Sequence, residues 1–434
     1  MRAASIVLLV ASSAAANPPD LYGYGARAMG LAGAMTAAVD DTTANFYNPA
    51  ALTRGRALEL DTGYLLTETR LRLNGEDLGV DEGSGLQVGA KVPGEIGPVG
   101  VAFGFALFLP KDRVSRVRAL PQYQPRFVIW DNHPQRIYID VNLAVRPVPW
   151  LHLGGGVAFL TNTGGTLDLQ GIVRVPNSDD STLSTAVNVD FKTVRYPSAG
   201  VLVAPPEGSW SVGLAWREEV NVELDLGARV QGALAIPALL PGSFELTSFN
   251  TNLFTPRQIW LGATWRPLQS LLLSADLGWL DWSGFPAPTA TVTLKLDIEG
   301  FPTEGLLPPT TEVIAPDFHD VVSVKAGVEW TARLGAHVEL AARAGYAFEP
   351  SPAPDQPGAT NYIDTAKHTI AAGLGVTLID WNPWVAEPLS IDLGAQAIVL
   401  PSRDYRKADP ADLIGDYSAE GELFTFSSTA RWRF

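Results

Sequence analysis

The sequence predicts an all-β fold: a transmembrane antiparallel β-barrel of 14 strands with an N-terminal plug inside its lumen. Three observations support this prediction. Apolar and polar residues alternate with a period of two in short segments from residue 57 to the C-terminus. The connections between these segments are alternately short and long, as in up-and-down barrels. A Gly- and Ala-rich stretch without strand character precedes the first segment.

The first 16 residues have the features of a secretory signal peptide. Arg2 precedes a short apolar run, Ile6 to Val10, and Ala14 to Ala16 supply the small residues of a cleavage site. The run is too short to span a bilayer, so the mature chain is predicted to begin at Asn17. The chain has no cysteine, which excludes a lipid anchor on cysteine, a disulfide framework and thiolate metal sites.

Charge and hydropathy narrow the class of protein. The formal net charge of −15 argues against nucleic acid as a partner. Beyond the signal peptide no run of 18 apolar residues occurs, so transmembrane helices are not expected. A chain of this kind can span a membrane only as a closed barrel, because an open sheet edge would leave backbone groups unpaired in hydrocarbon.

The segment from residue 17 to residue 54 is predicted to be the plug. It is rich in Gly and Ala, is weakly helical in pattern, and contains Asn48-Pro49, where proline prevents helix continuation. A barrel of 14 strands is too wide to be filled by its own side chains alone. Small residues would let this segment pack closely against the wall. The alternative is a disordered leader on the periplasmic side.

The predicted strands from residue 55 to residue 434 have one apolar and one polar face. In the last one, Phe424, Phe426 and Phe434 lie on one face, and Arg431 and Arg433 on the other. An Arg or Lys that faces lipid at the bilayer midplane costs about 2–4 kcal/mol, so the arginine face is predicted to line the lumen. A soluble β-sandwich would show the same alternation, with the apolar face as its core.

Connection lengths separate the barrel from the sandwich. The short connections lie near residues 93–97, 147–150, 205–209, 267–270, 332–335 and 380–388. The long ones are 110–134, 164–190, 233–256, 284–319, 349–367 and 401–420. A sandwich has no reason to gather every long connection at one end, whereas a bacterial barrel has tight periplasmic turns and long outer loops.

Short motifs occur in order from Leu21 to Val376. They include Gly25-Ala26-Arg27-Ala28-Met29-Gly30, Asn45-Phe46-Tyr47-Asn48-Pro49-Ala50, Gln258-Ile259-Trp260, Gly327-Val328-Glu329-Trp330 and Arg343-Ala344-Gly345-Tyr346. In residues and order they resemble the outer-membrane long-chain fatty-acid and hydrocarbon channels, the FadL-like family. The resemblance implies a passive channel that captures apolar molecules at the outer face. It also implies that residues 17–54 are a hatch segment, with its motif at Asn45, Phe46, Tyr47, Asn48 and Pro49.

One long connection offers an apolar surface for capture. Its candidate ligand-binding residues are Leu234, Ile236, Leu239, Leu240, Phe244, Phe249 and Phe254. Pro237 and Pro241 are expected to keep this surface open by preventing a helix. The alternative is that these residues only pack against neighbouring loops.

Two cations are expected to face the lumen and to meet a fatty carboxylate, Lys325 and Arg343. Glu329 and Glu339 lie on the same strand faces and could neutralise them instead. The first case favours a fatty acid as substrate and the second an uncharged hydrocarbon, and the sequence is compatible with both.

A lateral gate is predicted near the third strand, at Gly97, Pro98, Gly100 and Gly104, because Gly and Pro interrupt strand pairing. Exit sideways into the membrane and exit into the periplasm both fit the sequence.

The expected partners are a hydrophobic small molecule, outer-membrane lipid and lipopolysaccharide. The C-terminal Phe434 resembles the aromatic signal recognised by the barrel-assembly machinery. We expect a monomer in the bacterial outer membrane, with no cofactor and no metal. An enzyme is not expected, because the five histidines lack metal-ligand spacing and no G-x-S-x-G motif occurs. The alternatives are a structural or adhesive barrel without a transport role and, less favoured, an outer-membrane lipid hydrolase.

Overall fold

A computed structural model describes residues 18–80, 82–111, 123–130, 136–174, 182–236, 238–287, 291–298, 314–380 and 388–434. The predicted signal peptide, residues 1–16, lies outside this described part. Fourteen strands form the wall. In chain order they are β1 (Glu59–Leu73), β2 (Gly83–Ile96), β3 (Val99–Pro110), β4 (Tyr138–Val148), β5 (Leu151–Arg174), β6 (Thr182–Val203), β7 (Trp210–Arg217), β8 (Arg257–Leu268), β9 (Leu271–Asp281), β10 (Val321–Leu334), β11 (Val338–Glu349), β12 (Lys367–Leu378), β13 (Leu389–Tyr405) and β14 (Tyr417–Arg433).

The wall is a closed antiparallel barrel. Each strand pairs with the next one along the chain, and β1 pairs with β14 over its full length, from Glu59↔Arg433 to Leu73↔Ala419. Closure leaves no free edge among the wall strands, as a bilayer requires. The predicted fold class, a 14-stranded transmembrane barrel, is confirmed.

Side chains of the wall strands alternate between the lumen and the lipid-facing surface. In β14, Arg431 is buried and its Nη2 lies 2.9 Å from Asp392 Oδ2, whereas Phe426 is 54% exposed on the opposite face. Charged groups therefore face the lumen and aromatic groups face lipid, as the cost of a lipid-facing arginine predicts. Short connections alternate with long ones around the barrel, and those between β2 and β3, β4 and β5, and β8 and β9 have only two residues each.

Two predicted loops prove to be strands. Residues 164–190 lie largely in extensions of β5 and β6, which remain paired as far as Ile172↔Thr182. Residues 233–256 belong to an outer hairpin, Val220–Ile236 with Ala238–Thr255. This hairpin also pairs with residues 165–174 of β5 and with an outer strand, Thr291–Ile298. The segment is therefore paired as strands where a long loop was expected, because strand pairing satisfies the backbone groups of so long a segment. Pro237 lies outside the described residues, and the role of the prolines in holding the surface open stays a prediction.

The hatch segment contains only short helices. They are α1 (Pro18–Tyr22), α2 (Ala26–Gly30), α3 (Ala44–Tyr47) and a 3₁₀ turn, Pro49–Thr53. Asn48 separates the last two: its backbone is extended, and its side chain accepts a hydrogen bond from the Ala50 N–H at 3.2 Å. Pro49 then occupies the first helical position, where its missing N–H has no cost.

None of the described helices is both long enough and apolar enough to cross a bilayer.

Inward-facing glycines let the hatch segment approach the wall. Several of them face each other across neighbouring strands, at Gly154↔Gly200, Gly213↔Gly262, Gly327↔Gly345 and Gly373↔Gly394. A Cβ at Gly154 would overlap the backbone of Pro49 and Ala50, and one at Gly345 would overlap the backbone of Leu31 and Ala32. Any larger residue at these two positions would displace the hatch segment.

Candidate functional site

A buried ion network joins the hatch segment to the wall. Arg27 of α2 lies 2.6 Å from Asp40 and 3.1 Å from Asp41, measured from Nη1, and its Nε lies 2.8 Å from Glu329 of β10. Arg431 of β14 reaches Asp41 at 2.9 Å. Charges on the hatch segment are thus compensated by charges on two separate wall strands.

Arg343, one of the two predicted ligand cations, belongs to the same network. Its Nε lies 2.6 Å from Glu329 Oε2, and its Nη1 lies 2.6 Å from Asp392 Oδ1. Arg343 is buried and has two carboxylate partners, so it is already neutralised. Glu339, the other predicted neutralising group, pairs instead with the exposed Arg333 at 3.3 Å.

The network shifts the ionisation of the two hatch carboxylates. Burial alone would raise the pKa of Asp41, but the nearby guanidinium groups of Arg431 and Arg27 outweigh it and hold that pKa well below its usual range. Burial alone would also raise the pKa of Asp40. The positive charges of Arg27, Arg54, Lys91 and Arg266 outweigh this effect and lower that pKa. Both carboxylates are therefore ionised at neutral pH.

A cavity of about 150 Å³ lies within the barrel beside the hatch segment. The hatch residues Asp20, Tyr22, Phe46 and Tyr47 line it together with wall residues and with Ile129 and Trp130 of an outer connection. The lining residues of the wall include Arg217, Trp260, Leu280, Lys325, Glu349 and Lys367, and Trp282 lines the cavity from the 3₁₀ turn that follows β9. Apolar and aromatic surface with a few charged groups is typical of a site for a small amphipathic ligand.

Most charges around the cavity are paired. Arg217 lies 2.7 Å from Asp20 and over the ring of Phe46, at 4.1 Å from its centroid. Lys367 lies 3.1 Å from Glu349 and 3.0 Å from Asp364. These pairs leave Lys325 as the remaining cation of the lining.

Lys325 is bound differently from the other cations. Its Nζ lies 3.7 Å from the centroid of the Trp260 ring, and it forms no ion pair with any carboxylate of the described residues. Asp276, its cross-strand neighbour, instead accepts a hydrogen bond from the Thr36 N–H of the hatch segment at 2.9 Å. A ring face stabilises an ammonium group without neutralising it, so Lys325 keeps its capacity to bind an anion.

An aromatic cluster adjoins the cavity. Phe254 lies 5.4 Å from Phe285 and 6.0 Å from Trp282, and Phe285 stacks on Phe318 at 4.6 Å, all between ring centroids. Phe254, a predicted ligand-binding residue, is only 2% exposed. It packs against Trp282, which lines the cavity.

The remaining predicted capture residues lie in the outer hairpin, where the register is Leu234↔Leu240, Ala235↔Leu239, Ile236↔Ala238, Val230↔Phe244 and Asp225↔Phe249.

The hatch motif ties the segment to several strands. The Asn45 amide donates to Thr42 O at 2.8 Å and to the carbonyls of Ala90 and Phe105, both at 3.1 Å. The Asn48 amide donates to Thr36 O at 2.8 Å and to Val201 O at 3.3 Å.

Phe46 makes edge contacts with the rings of Tyr47 and Tyr138. Asn45 and Asn48 thus bind the wall, whereas Phe46 and Tyr47 also line the cavity.

The four predicted gate residues lie in a continuous wall. Gly97 and Pro98 are the turn between β2 and β3. Gly100 pairs with Glu95 and Arg146, and Gly104 pairs with Lys91 and Asn142, with no shift of register in either ladder. The predicted interruption of pairing is absent here. Gly104 faces inward and contacts Asn45 and Leu52 of the hatch segment, so its small size makes room for the plug.

Several cavity residues were missed from the sequence. Trp260 could have been found, because Ile259 and Leu261 face lipid and the residue between them must face the lumen. Trp130 and Asp20 lie in irregular or short helical segments, where no periodicity indicates which side chains turn toward a cavity.

A closed barrel with an apolar outer face, an internal N-terminal segment and a luminal cavity is the architecture of an outer-membrane channel. The chain belongs to the outer membrane protein transport protein family (OMPP1/FadL/TodX), whose model matches residues 7–434. It is therefore a transport barrel for hydrophobic compounds in the bacterial outer membrane, and its family is one of channels, not of enzymes.

Relatives of known structure share the fold. A Pseudomonas aeruginosa FadL homologue superposes with a TM-score of 0.56 at 16% identity, over 97% of this chain and 98% of that one. The Pseudomonas putida toluene transporter TodX superposes with a TM-score of 0.54 at 12% identity, over 96% and 99% of the two chains. In sequence, the chain is 21% identical to Alkane uptake protein A of Marinobacter nauticus, over 100% of this chain and 97% of the relative.

Proposed function

We propose that this protein takes up long-chain fatty acids by passive diffusion and holds the carboxylate at Lys325 while the apolar chain lies along the aromatic wall of the cavity. The observation that carries the proposal is the ammonium of Lys325, which lies 3.7 Å from the centroid of the Trp260 ring and has no carboxylate partner within the described part of the chain. The other cations around the cavity, Arg217 and Lys367, already have carboxylate partners. An incoming carboxylate would form a charge-assisted hydrogen bond with Lys325 without displacing any existing partner.

The hatch segment closes the lumen beside the cavity in this proposal, and it must shift before a ligand can leave. The charge network around Arg27 supports the closed arrangement, since its members come from the hatch segment and from wall strands far apart in the chain. Both routes of exit, sideways or into the periplasm, require that Asn45 and Asn48 release the wall carbonyls that they bind.

Capture at the outer face is assigned to the outer hairpin, which carries Leu234, Ile236, Leu239, Leu240, Phe244 and Phe249. Lipid and lipopolysaccharide would surround the barrel. Phe434, which is 56% exposed and whose backbone pairs with Leu58, is available to the assembly machinery.

An uncharged hydrocarbon is the second candidate substrate. The name of the Marinobacter relative refers to alkane uptake, and two proteins of similar structure are a toluene transporter, TodX, and a monoaromatic hydrocarbon channel, CymD. The aromatic cluster around Phe254, Trp282 and Phe285 would suit such a molecule, for which Lys325 would be irrelevant.

Uptake by intact cells of palmitate and of hexadecane separates the two candidates. The Lys325→Met variant keeps an unbranched side chain that is one atom shorter and removes the charge. We expect it to slow palmitate uptake by about tenfold or more, as the loss of a charge-assisted hydrogen bond predicts, and to leave hexadecane uptake unchanged.

Arg333→Met, which removes an exposed cation from the same strand, is the control and should change neither rate. Equal palmitate uptake by Lys325→Met and wild type, at equal surface levels, would contradict the role of Lys325. Hexadecane uptake without palmitate uptake in the wild type would favour the second candidate.

A further inference from the structure

We propose that the outer segment Tyr123–Trp130 is a lid that covers the cavity and that ligand must displace. This inference rests on the proposed function, because it concerns how substrate reaches the same cavity. The lid segment belongs to the long connection between β3 and β4, not to the wall. It nevertheless turns into the barrel, where Ile129 and Trp130 line the cavity.

The lid segment is apolar and buried, unlike an ordinary outer loop. Phe127, Val128, Ile129 and Trp130 are 3% exposed or less, whereas Tyr123 at the start of the segment is 54% exposed. Loops normally run over the surface of a protein. These four consecutive buried apolar residues of an outer connection therefore cover the cavity on its outer side.

The lid segment rests on a second outer segment, Asn361–Asp364, which we call the latch. Arg126 and Phe127 pair in parallel with Tyr362 and Ile363, a ladder of only two residues. The Arg126 N–H donates to Asn361 O at 3.2 Å, and the Asn361 amide donates to Tyr123 O at 2.7 Å. So short a ladder costs little to break compared with the wall ladders around it.

The latch itself is firmly held by the wall. The Tyr405 hydroxyl and the Arg403 guanidinium of β13 donate to Asp364 O at 2.6 and 3.1 Å. Lys367 at the start of β12 lies 3.0 Å from the Asp364 carboxylate. The lid is thus joined to the latch by a two-residue ladder, whereas the latch is tied to two wall strands by side-chain hydrogen bonds and an ion pair.

The lid also touches the hatch segment. The ring centroids of Trp130 and Tyr22 lie 6.5 Å apart, and Tyr22 ends α1, which also carries Asp20, the partner of Arg217. A ligand that entered between Trp130 and the cavity would separate the lid from α1. Displacement of the lid is thus the step by which a captured ligand enters the cavity, and the hatch segment is the immediate neighbour of the lid.

Locking the lid to the latch tests the proposal. The natural chain has no cysteine, so the pair Phe127→Cys/Ile363→Cys would form a single disulfide between two registered residues. We expect the oxidised protein to take up palmitate and hexadecane about tenfold more slowly than the reduced protein, because a closed lid gates entry. The control pair Arg72→Cys/Glu420→Cys, at registered positions between β1 and β14, should import equally in both redox states.

A second measurement does not need the disulfide to form. Val128→Cys, at a position that is 1% exposed, should react slowly with a maleimide on intact cells and faster when palmitate is added. Tyr123→Cys, at the exposed end of the lid segment, should react fast in both conditions.

A verified disulfide that leaves uptake unchanged would overturn the lid, as would labelling of Val128→Cys that palmitate does not accelerate. The two proposals fail in different ways. If uptake depends on Lys325 but not on the disulfide, only the lid proposal is wrong. If uptake depends on the disulfide but not on Lys325, only the proposed carboxylate site at Lys325 is wrong.

Discussion

Arg27 of the hatch segment and Glu329 of β10 form a two-pronged ion pair, with Nε 2.8 Å from Oε2 and Nη2 3.0 Å from Oε1. The two residues are 302 positions apart in the chain. Both residues are buried. The third guanidinium nitrogen of Arg27, Nη1, forms ion pairs with Asp40 and Asp41. The geometry holds the hatch segment against a wall strand, because breaking the pair would leave Glu329 with Arg343 and Asp41 with Arg431 as their single arginine partners in a buried site.

Removal of the Arg27 charge should loosen the hatch segment. Arg27→Met leaves Glu329 with Arg343 alone and Asp41 with Arg431 alone, so the cost stays below the roughly 3–5 kcal/mol of a buried charge that loses its only partner. We expect faster hydrogen exchange at backbone amides of residues 26–48 in the purified barrel, while exchange in the wall strands stays slow.

Arg70→Met is the matched control, because Arg70 pairs with Glu68 at the surface, where both side chains are 48% exposed. Such a surface pair contributes about 1 kcal/mol or less. Unchanged protection of the hatch amides in Arg27→Met would show that the network does not hold the plug in place.

A methyl group at Gly345 should displace the plug by steric overlap. The added Cβ would meet the backbone of Leu31 and Ala32, which cannot rotate away as a flexible side chain could. Overpacking of this kind costs about 1–3 kcal/mol, and moving the hatch segment is the available relief. We expect Gly345→Ala to raise ion conductance in planar bilayers and to increase the sensitivity of cells to vancomycin.

Gly94→Ala is the control for the glycine substitution, since its Cβ would meet only a Val101 methyl group at the ordinary distance of 3.6 Å. Conductance of Gly345→Ala that equals that of Gly94→Ala and of wild type would mean that the wall or the hatch segment absorbs the methyl group without opening.

The contacts that hold the hatch segment against the wall should persist in mild acid. The pKa of Asp41 is held below its usual range by Arg431 and Arg27, against the effect of burial. A carboxyl whose pKa is lower in the folded protein stabilises it fully above the unfolded value of about 3.9 and loses that contribution as pH falls toward the folded value. Protection of the hatch amides should therefore not fall between about pH 8 and pH 5 and should decline only below about pH 4.

Asp41→Asn has no carboxylate to protonate at position 41. The protection of its hatch amides should therefore decline less below about pH 4 than that of the wild type. A loss of protection in the wild type between about pH 7 and pH 5 would point to a different titrating group and would contradict control by Asp41.

Alternation alone could assign Lys325 and Arg343 to the luminal face, and it did so for both. It could not distinguish their roles, because the partners come from elsewhere: Asp392 lies on β13, Trp260 on β8, and Arg27, which shares Glu329, on the hatch segment. The glycine pairs are hidden from the sequence for the same reason, since each member looks like an isolated strand glycine until Gly327 and Gly345 are seen in register.

The sequence by itself determined the barrel, the orientation of its faces and the alternation of short and long connections. It could do so because a bilayer penalises every unpaired backbone group and every lipid-facing charge, and these penalties act on each strand locally. Only the tertiary structure decided that Arg343 pairs with two carboxylates while Lys325 lies over the Trp260 ring with no carboxylate partner among the described residues, that Gly104 makes room for Asn45, and that Trp130 lines the cavity. Those features depend on contacts between segments far apart in the chain, for which the sequence carries no periodic signal.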